Sequence, residues 1–172
     1  MVKHVFLHGK YLMEDFLPFI DSVISKFGFT IEYLHEENQA SQNLGIPALY
    51  KHKNKIMQGN PQFIFVMNCD ICSSFPLYDM LKFQDRTQAL LTVMTTNDES
   101  DENHTMGAFT QNPQTNEMIH YTEGGKKSNL TVNCGVYLFS SELFLDKEFI
   151  KSLNIKEHDA SRALHKKQLT RL

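Results

Sequence analysis

The sequence predicts an α/β protein built on a doubly wound, mostly parallel sheet. Three observations carry that prediction. Strand-like and helix-like segments alternate along the chain. Phe63 to Met67, "FIFVM", is an unbroken apolar run without alternation, the pattern of a strand covered on both faces by helices. That run ends in the polar Asn68-Cys69-Asp70 and a turn-forming segment, as the carboxyl edge of such a sheet does.

Val2 to His8 reads as a short strand, and Met13 to Phe27 as a helix with apolar residues three to four apart. Pro18 fits only the first turn of a helix, which puts the true start near Phe16, and Gly28 supplies the stop. "FTIEYLHE" then alternates with period two, completing a strand-helix-strand unit. After a polar segment, Ala48 to Met57 has helical spacing and Gly59-Asn60-Pro61 ends it. Phe63 to Met67 is the predicted central strand, Leu77 to Gln84 a helix and Ala89 to Thr95 a strand. "TTNDESDENHT" reads as an acidic loop. Two strands, Gly107 to Thr110 and Glu117 to Thr122, flank the turn "QNPQTN". "LTVNCGVYLF" is a strong apolar strand, Glu142 to Leu153 a short helix, and the remainder a polar tail.

With 172 residues, 41% of them hydrophobic, the chain suits one core, and residues 1–153 are expected to hold it, with 154–172 as the tail. A net charge of -3 with both signs interspersed gives no electrostatic case for nucleic acid or an anionic membrane. No apolar stretch reaches the roughly 18 to 20 residues of a membrane span, and the first residues lack a signal-peptide pattern, so the cytosol is the expected compartment. Cys69 and Cys72 form a C-x-x-C, but the one further cysteine, Cys134, stands far downstream. A closed zinc site needs a second ligand pair, so the C-x-x-C pair is expected to be small buried side chains near a strand end. His4 and His8 fall on one face of the first strand, roughly 13 Å apart at about 3.3 Å per residue, too far to share a metal, and are expected at the surface.

Asp70 is the residue that raises a question of function. An acid just past a buried strand, at the edge where α/β sheets bind ligands, is placed to meet a ligand or a metal. A turn-forming or helix-capping acid would sit there equally well.

"FIFVMNCDICSSFPLYDML", "GAFTQNPQTNEMIHYTE" and "NCGVYLFSSELF", in that order and spacing, resemble successive motifs of the sugar nucleotidyltransferases, within them the mannose-1-phosphate guanylyltransferase alpha branch. The resemblance implies a Rossmann-like nucleotidyltransferase sheet. It also implies a chemistry in which a sugar phosphate oxygen attacks the α-phosphorus of a nucleoside triphosphate and pyrophosphate leaves. Magnesium and basic side chains would neutralise the anionic groups. Carried over position by position, Asp70 becomes a metal-binding aspartate, Gly45 a remnant of the base-contacting segment, and Gly107 part of the glycine motif near the sugar. Glu123 would contact sugar hydroxyls, Asn133 would hydrogen-bond the sugar, and Gly135 would admit it close to backbone.

The departures from that pattern carry equal weight. The family's opening glycine-rich G-x-G-T-R loop has no counterpart here, so the sequence resembles the family from its second strand onward, an incomplete sheet without the first strand and without the β-helix domain that follows in relatives. "NLGIPALY" keeps Leu44 and Gly45 but places Ile46 and Pro47 where relatives have small residues. Gly124 and Gly125 follow Glu123 where relatives have a lysine, and the second metal aspartate has no match. Each missing charge-stabilising group costs on the order of 10² to 10³ in rate. The resemblance therefore implies a non-catalytic or regulatory alpha-type subunit that binds GDP-mannose and a catalytic beta-type guanylyltransferase subunit. The alternatives are an active enzyme making GDP-mannose from GTP and mannose 1-phosphate, and a small interaction protein that keeps only the fold.

Overall fold

The computed structural model describes residues 2, 4–36, 46–98, 104–125 and 130–152. It divides into two compact units, Met1–Gly59 and Asn60–Leu172. Each is built around its own sheet.

The first unit holds strand β1 (His4–Gly9) and strand β2 (Thr30–His35), paired in parallel with His4 opposite Thr30 and Gly9 opposite His35. Parallel neighbours need a crossover, and helix α1 (Leu17–Phe27) provides it after a 3₁₀ turn at Met13–Asp15. Pro18 lies in the first turn of α1, and Gly28 closes it in the left-handed conformation with its N–H donated to the Ile24 carbonyl at 2.9 Å. Both punctuation marks read from the sequence therefore act as expected. Helices α2 (Ile46–Lys51) and α3 (Lys53–Ile56) follow as a broken pair, where the sequence suggested one helix. Ile20, Leu34, Ala48 and Ile56 are the buried apolar residues, with Tyr33.

The second unit is a five-stranded sheet of β3 (Phe63–Met67), β4 (Leu91–Asp98), β5 (His104–Gln111), β6 (Met118–Gly125) and β7 (Leu130–Ser140), with helix α4 (Leu77–Thr87) between β3 and β4. A 3₁₀ turn at Ser141–Phe144 and helix α5 (Lys147–Ser152) complete it. Strand β7 is the hub. It pairs antiparallel with β4 along its length, while β3 and β5 share its opposite edge in series: Leu138 pairs with both Phe65 and Thr92, and Val132 with both Ala108 and Thr96. Strands β3 and β4 are thus parallel to each other but separated by an antiparallel strand.

The α/β class holds, and the pairing is mixed rather than mostly parallel, with β3 at the end of the described sheet order rather than at its centre. The reason is physical. A strand buried on both faces is apolar throughout whichever way its neighbours run, so an unbroken hydrophobic run does not encode direction. Val136 and Leu138 are wholly buried on β7 with Met80 of α4, and Phe63, Phe65, Ile71, Phe75, Leu77, Leu81 and Met94 pack around them. Strand β4 also runs to Asp98, three residues past the expected end, because Thr96, Asn97 and Asp98 pair with Val132, Thr131 and Leu130 through backbone that needs no apolar side chain. The rest of the expected acidic loop, residues 99–103, and the tail 154–172 lie outside the described residues. None of the described helices is long and apolar enough to cross a membrane.

Candidate functional site

The segment that carries Asp70 is fixed from both sides. The Asn68 N–H donates to the Gly135 carbonyl at 3.0 Å, tying the end of β3 to β7. Ile71 and Phe75 insert into the core of Met80, Val136 and Leu138. Phe75 adopts φ 44°, a costly value for a residue with a side chain, and its N–H donates to Ser73 Oγ at 3.1 Å. Asp70 is left exposed in the turn between these anchors. An exposed carboxylate suits a magnesium ion, which keeps several waters and takes one or two carboxylates together with substrate phosphates.

Gly135 sits at the point on β7 where β3 gives way to β5. Its φ is 67°, and a Cβ there would lie 2.6 Å from Asn68 Nδ2 and 2.8 Å from Ile71 Cδ1. Glycine is required twice over, by backbone conformation and by the approach of the Asp70 segment. Asn133, two residues earlier, donates from Nδ2 to Tyr137 Oη at 2.6 Å and accepts from the Gly135 N–H on Oδ1 at 2.9 Å. A primary amide has two donor hydrogens and two acceptor lone pairs, so one of each remains for a ligand.

Gly107 on β5 pairs with Glu123 on β6, and Ala108 with Val132 on β7, so Gly107 and Asn133 are the next residues along that antiparallel register. Asn133 in turn pairs with Thr95 on β4. Glu123, Gly107 and Asn133 therefore form one row across three strands, and Gly135 and the Asp70 turn follow further along β7. A Cβ on Gly107 would run into the Tyr121 ring, 2.5 Å from Cε2 and 2.6 Å from Cζ, so here the missing side chain makes room for a neighbour inside the fold.

Five of the six residues singled out in the sequence belong to this stretch of the second unit. The sixth, Gly45, lies outside the described residues. Sequence reasoning missed Asn68, Tyr121 and Tyr137. The last could have been found, since a spacing of four on a strand puts Tyr137 on the same side as Asn133. Cys69 and Cys72 are exposed, not core residues, because the anchored turn directs Ile71 inward between them; Cys134 is half-buried and its thiol is pushed up by that burial. His8 also departs from expectation: its side chain is only 11% exposed, against 37% for His4.

Comparisons with known proteins give the family and the fold. The nucleotidyl transferase family matches residues 21–170. The "Probable mannose-1-phosphate guanyltransferase" of Schizosaccharomyces pombe is 35% identical over 147 residues, covering 83% of this chain and 34% of that protein. The "Mannose-1-phosphate guanylyltransferase regulatory subunit alpha" of Homo sapiens is 32% identical over 145 residues, covering 82% and 33%. Its Danio rerio counterpart alpha-A is 32% identical over 180 residues, covering 99% and 42%. The chain thus spans about a third to two fifths of the curated relatives it matches. Among solved structures, HddC from Yersinia pseudotuberculosis superposes with a TM-score of 0.55 at 15% identity, covering 83% of this chain and 58% of that one, a likeness of fold. With the family match running over most of its length, this chain belongs to the nucleotidyl transferase family.

Proposed function

We propose that the chain acts in GDP-mannose synthesis as a non-catalytic, alpha-type subunit that binds a sugar nucleotide and a catalytic beta-type guanylyltransferase subunit. The observation that carries this reading is the name shared by relatives at 32% identity, regulatory subunit alpha. The row Glu123–Gly107–Asn133 set by strand pairing and the exposed Asp70 support it.

Asn133 is pre-oriented by Tyr137 and by the Gly135 N–H, so it can offer its remaining N–H and lone pair to a sugar hydroxyl without losing rotamer freedom on binding. Gly107 and Gly135 shape the floor by letting Tyr121, Asn68 and Ile71 close in. Asp70 would hold magnesium, which when bound supplies positive charge against the nucleotide phosphates. Gly124 and Gly125 follow Glu123, so no basic side chain stands directly after it, which favours holding a sugar nucleotide over transferring a nucleotidyl group.

Isothermal titration with GDP-mannose and with GTP, with and without magnesium, on the wild type and Asp70→Asn tests the site. Binding is expected to weaken by roughly tenfold or more when either the ion or the carboxylate is removed, the loss of one charge-assisted contact of about 1.5 to 3 kcal/mol. Binding that ignores both changes would put the site elsewhere. The S. pombe relative, whose name lacks the word regulatory, favours a second reading as an active guanylyltransferase. Pyrophosphate release from GTP and mannose 1-phosphate by the chain alone would establish that reading and overturn the first.

A further inference from the structure

We propose that His8, Glu36 and His52 form a binding site for a borderline divalent cation, with Zn²⁺ the best fit. All three lie in the first unit, and the proposal stands apart from the reading of Asp70.

One ligand atom from each lies within 4.8 Å of the others. His8 Nε2 is 3.8 Å from Glu36 Oε2, and the two imidazole rings meet edge to face with centroids 5.5 Å apart. Glu36 is 95% buried, as its 5% side-chain exposure gives, and His8 nearly as much. Yet His8 Nε2 and Glu36 Oε2 are buried without a hydrogen-bond partner. Leaving such atoms unpaired is expensive, and buried polar groups without partners are rare enough to need a cause. An ion between them is that cause. His8 sits near the carboxyl end of β1, and Glu36 just past that of β2, where its N–H donates to the Gly9 carbonyl at 2.9 Å. His52 joins from the break between α2 and α3. That break, with no proline or glycine between Ala48 and Met57, turns one imidazole toward the strand ends.

The donor chemistry selects the ion. Two imidazoles and one carboxylate are the three protein ligands of one common class of zinc centre, with a fourth position left for water. Magnesium and calcium prefer oxygen donors throughout. Burial and the neighbouring His52 lower the affinity of His8 for a proton, and the Lys51 hydrogen bond lowers that of Glu36. Lys51 Nζ donates to Glu36 Oε1 at 2.6 Å, which leaves Oε2 for the metal and fixes the plane of the carboxylate, the usual task of an outer-sphere partner. Tetrahedral ligand atoms at about 2.0 to 2.2 Å from an ion lie about 3.3 to 3.6 Å apart, so the 3.8 Å pair of His8 and Glu36 needs to close by a few tenths of an ångström and a spacing of 4.8 Å by about 1.2 to 1.5 Å.

The test uses the full chain carrying Cys69→Ser and Cys72→Ser, so that exposed thiols do not compete. Zn²⁺ is titrated calorimetrically and Co²⁺ by visible absorption, on this background and with Glu36→Gln or His52→Gln added. One equivalent is expected to bind, with the intense visible bands of four-coordinate Co²⁺, and each added substitution should weaken binding by at least about tenfold. Circular dichroism establishes that the variants are folded; His52, half-buried and at a helix break, is the safer of the two. Absence of one-to-one binding, or affinity unchanged in folded variants, overturns the proposal.

Discussion

The two units solve the same problem, burying a sheet, with different resources. In the second, β7 is paired along both edges, and its Val136 and Leu138 are fully buried against α4. In the first, two parallel strands pair only with each other among the described residues, and the buried set of Ile20, Tyr33, Leu34, Ala48 and Ile56 is joined by the charged Glu36. A two-stranded sheet needs additional packing for stability. Both units bury unpartnered polar atoms, those of Gln84 and Thr92 in the second and of His8 and Glu36 in the first, but among the described residues the first alone gathers metal-ligating side chains, His8, Glu36 and His52. The difference teaches where function is to be sought: a large apolar core can carry a row of polar residues on its strands, and a small one with titratable side chains gathered at its strand ends points to a ligand.

The largest test of this contrast is to cut the second core. Leu138→Ala removes a fully buried side chain among seven partly buried apolar neighbours and is expected to cost about 2 to 5 kcal/mol. Leu34→Ala in the first unit, 1% exposed and on a two-stranded sheet, is expected toward the lower end of that range. Urea unfolding of both variants measures it. Equal losses would break the contrast.

Gly135→Ala probes the seam rather than the filling. A left-handed residue with a Cβ costs roughly 1 to 2 kcal/mol, and the contacts with Asn68 and Ile71 add to it. The same change should loosen the turn that holds Asp70, so magnesium-dependent binding of GDP-mannose should fall more than stability alone explains. Unaltered stability would show that the seam can relax. Gly107→Ala is expected to cost about 1 to 3 kcal/mol by forcing the Tyr121 ring aside. Adding Tyr121→Ala should recover much of that loss, and a double-mutant cycle reads the coupling. Additive losses would mean that Gly107 is kept for a ligand and not for Tyr121.

How much of this was legible in the sequence depends on the range of the interaction. Phe63–Met67 matches the expected strand residue for residue, and Pro18 and Gly28 mark the start and stop of α1, because caps, turns and apolar runs act within a few residues. The family motifs located the row of Glu123, Gly107 and Asn133, but not why Gly107 and Gly135 are glycines, since Tyr121 and Asn68 reach them from other segments. The hub role of β7 was hidden because apolar runs do not specify direction. His8, Glu36 and His52 were hidden further, as their meeting requires the β1–β2 register and the α2–α3 break together.

The smallest expected effect is kinetic. Cys134 on β7 is half-buried and its thiol is raised above the usual range by desolvation, so at a given pH less of it is thiolate than of an open thiol. With Cys69 and Cys72 replaced by serine, Cys134 reports the opening of the second unit, and Ala48→Cys, at a position 1% exposed, reports the first. Maleimide labelling of Cys134 should be slow near neutral pH and speed up as pH rises toward its raised pKa. Position 48 is the more deeply covered of the two, so static accessibility alone would make it the slower. If the first unit opens more often, position 48 labels faster despite that cover, after each rate is corrected for its thiolate fraction. The reverse order would show that the two-stranded unit is as tightly closed as the five-stranded one. Zinc should slow labelling at position 48 and leave Cys134 unchanged, since an ion held by His8, Glu36 and His52 ties together the β1 end, the β2 end and the helix break beside Ala48.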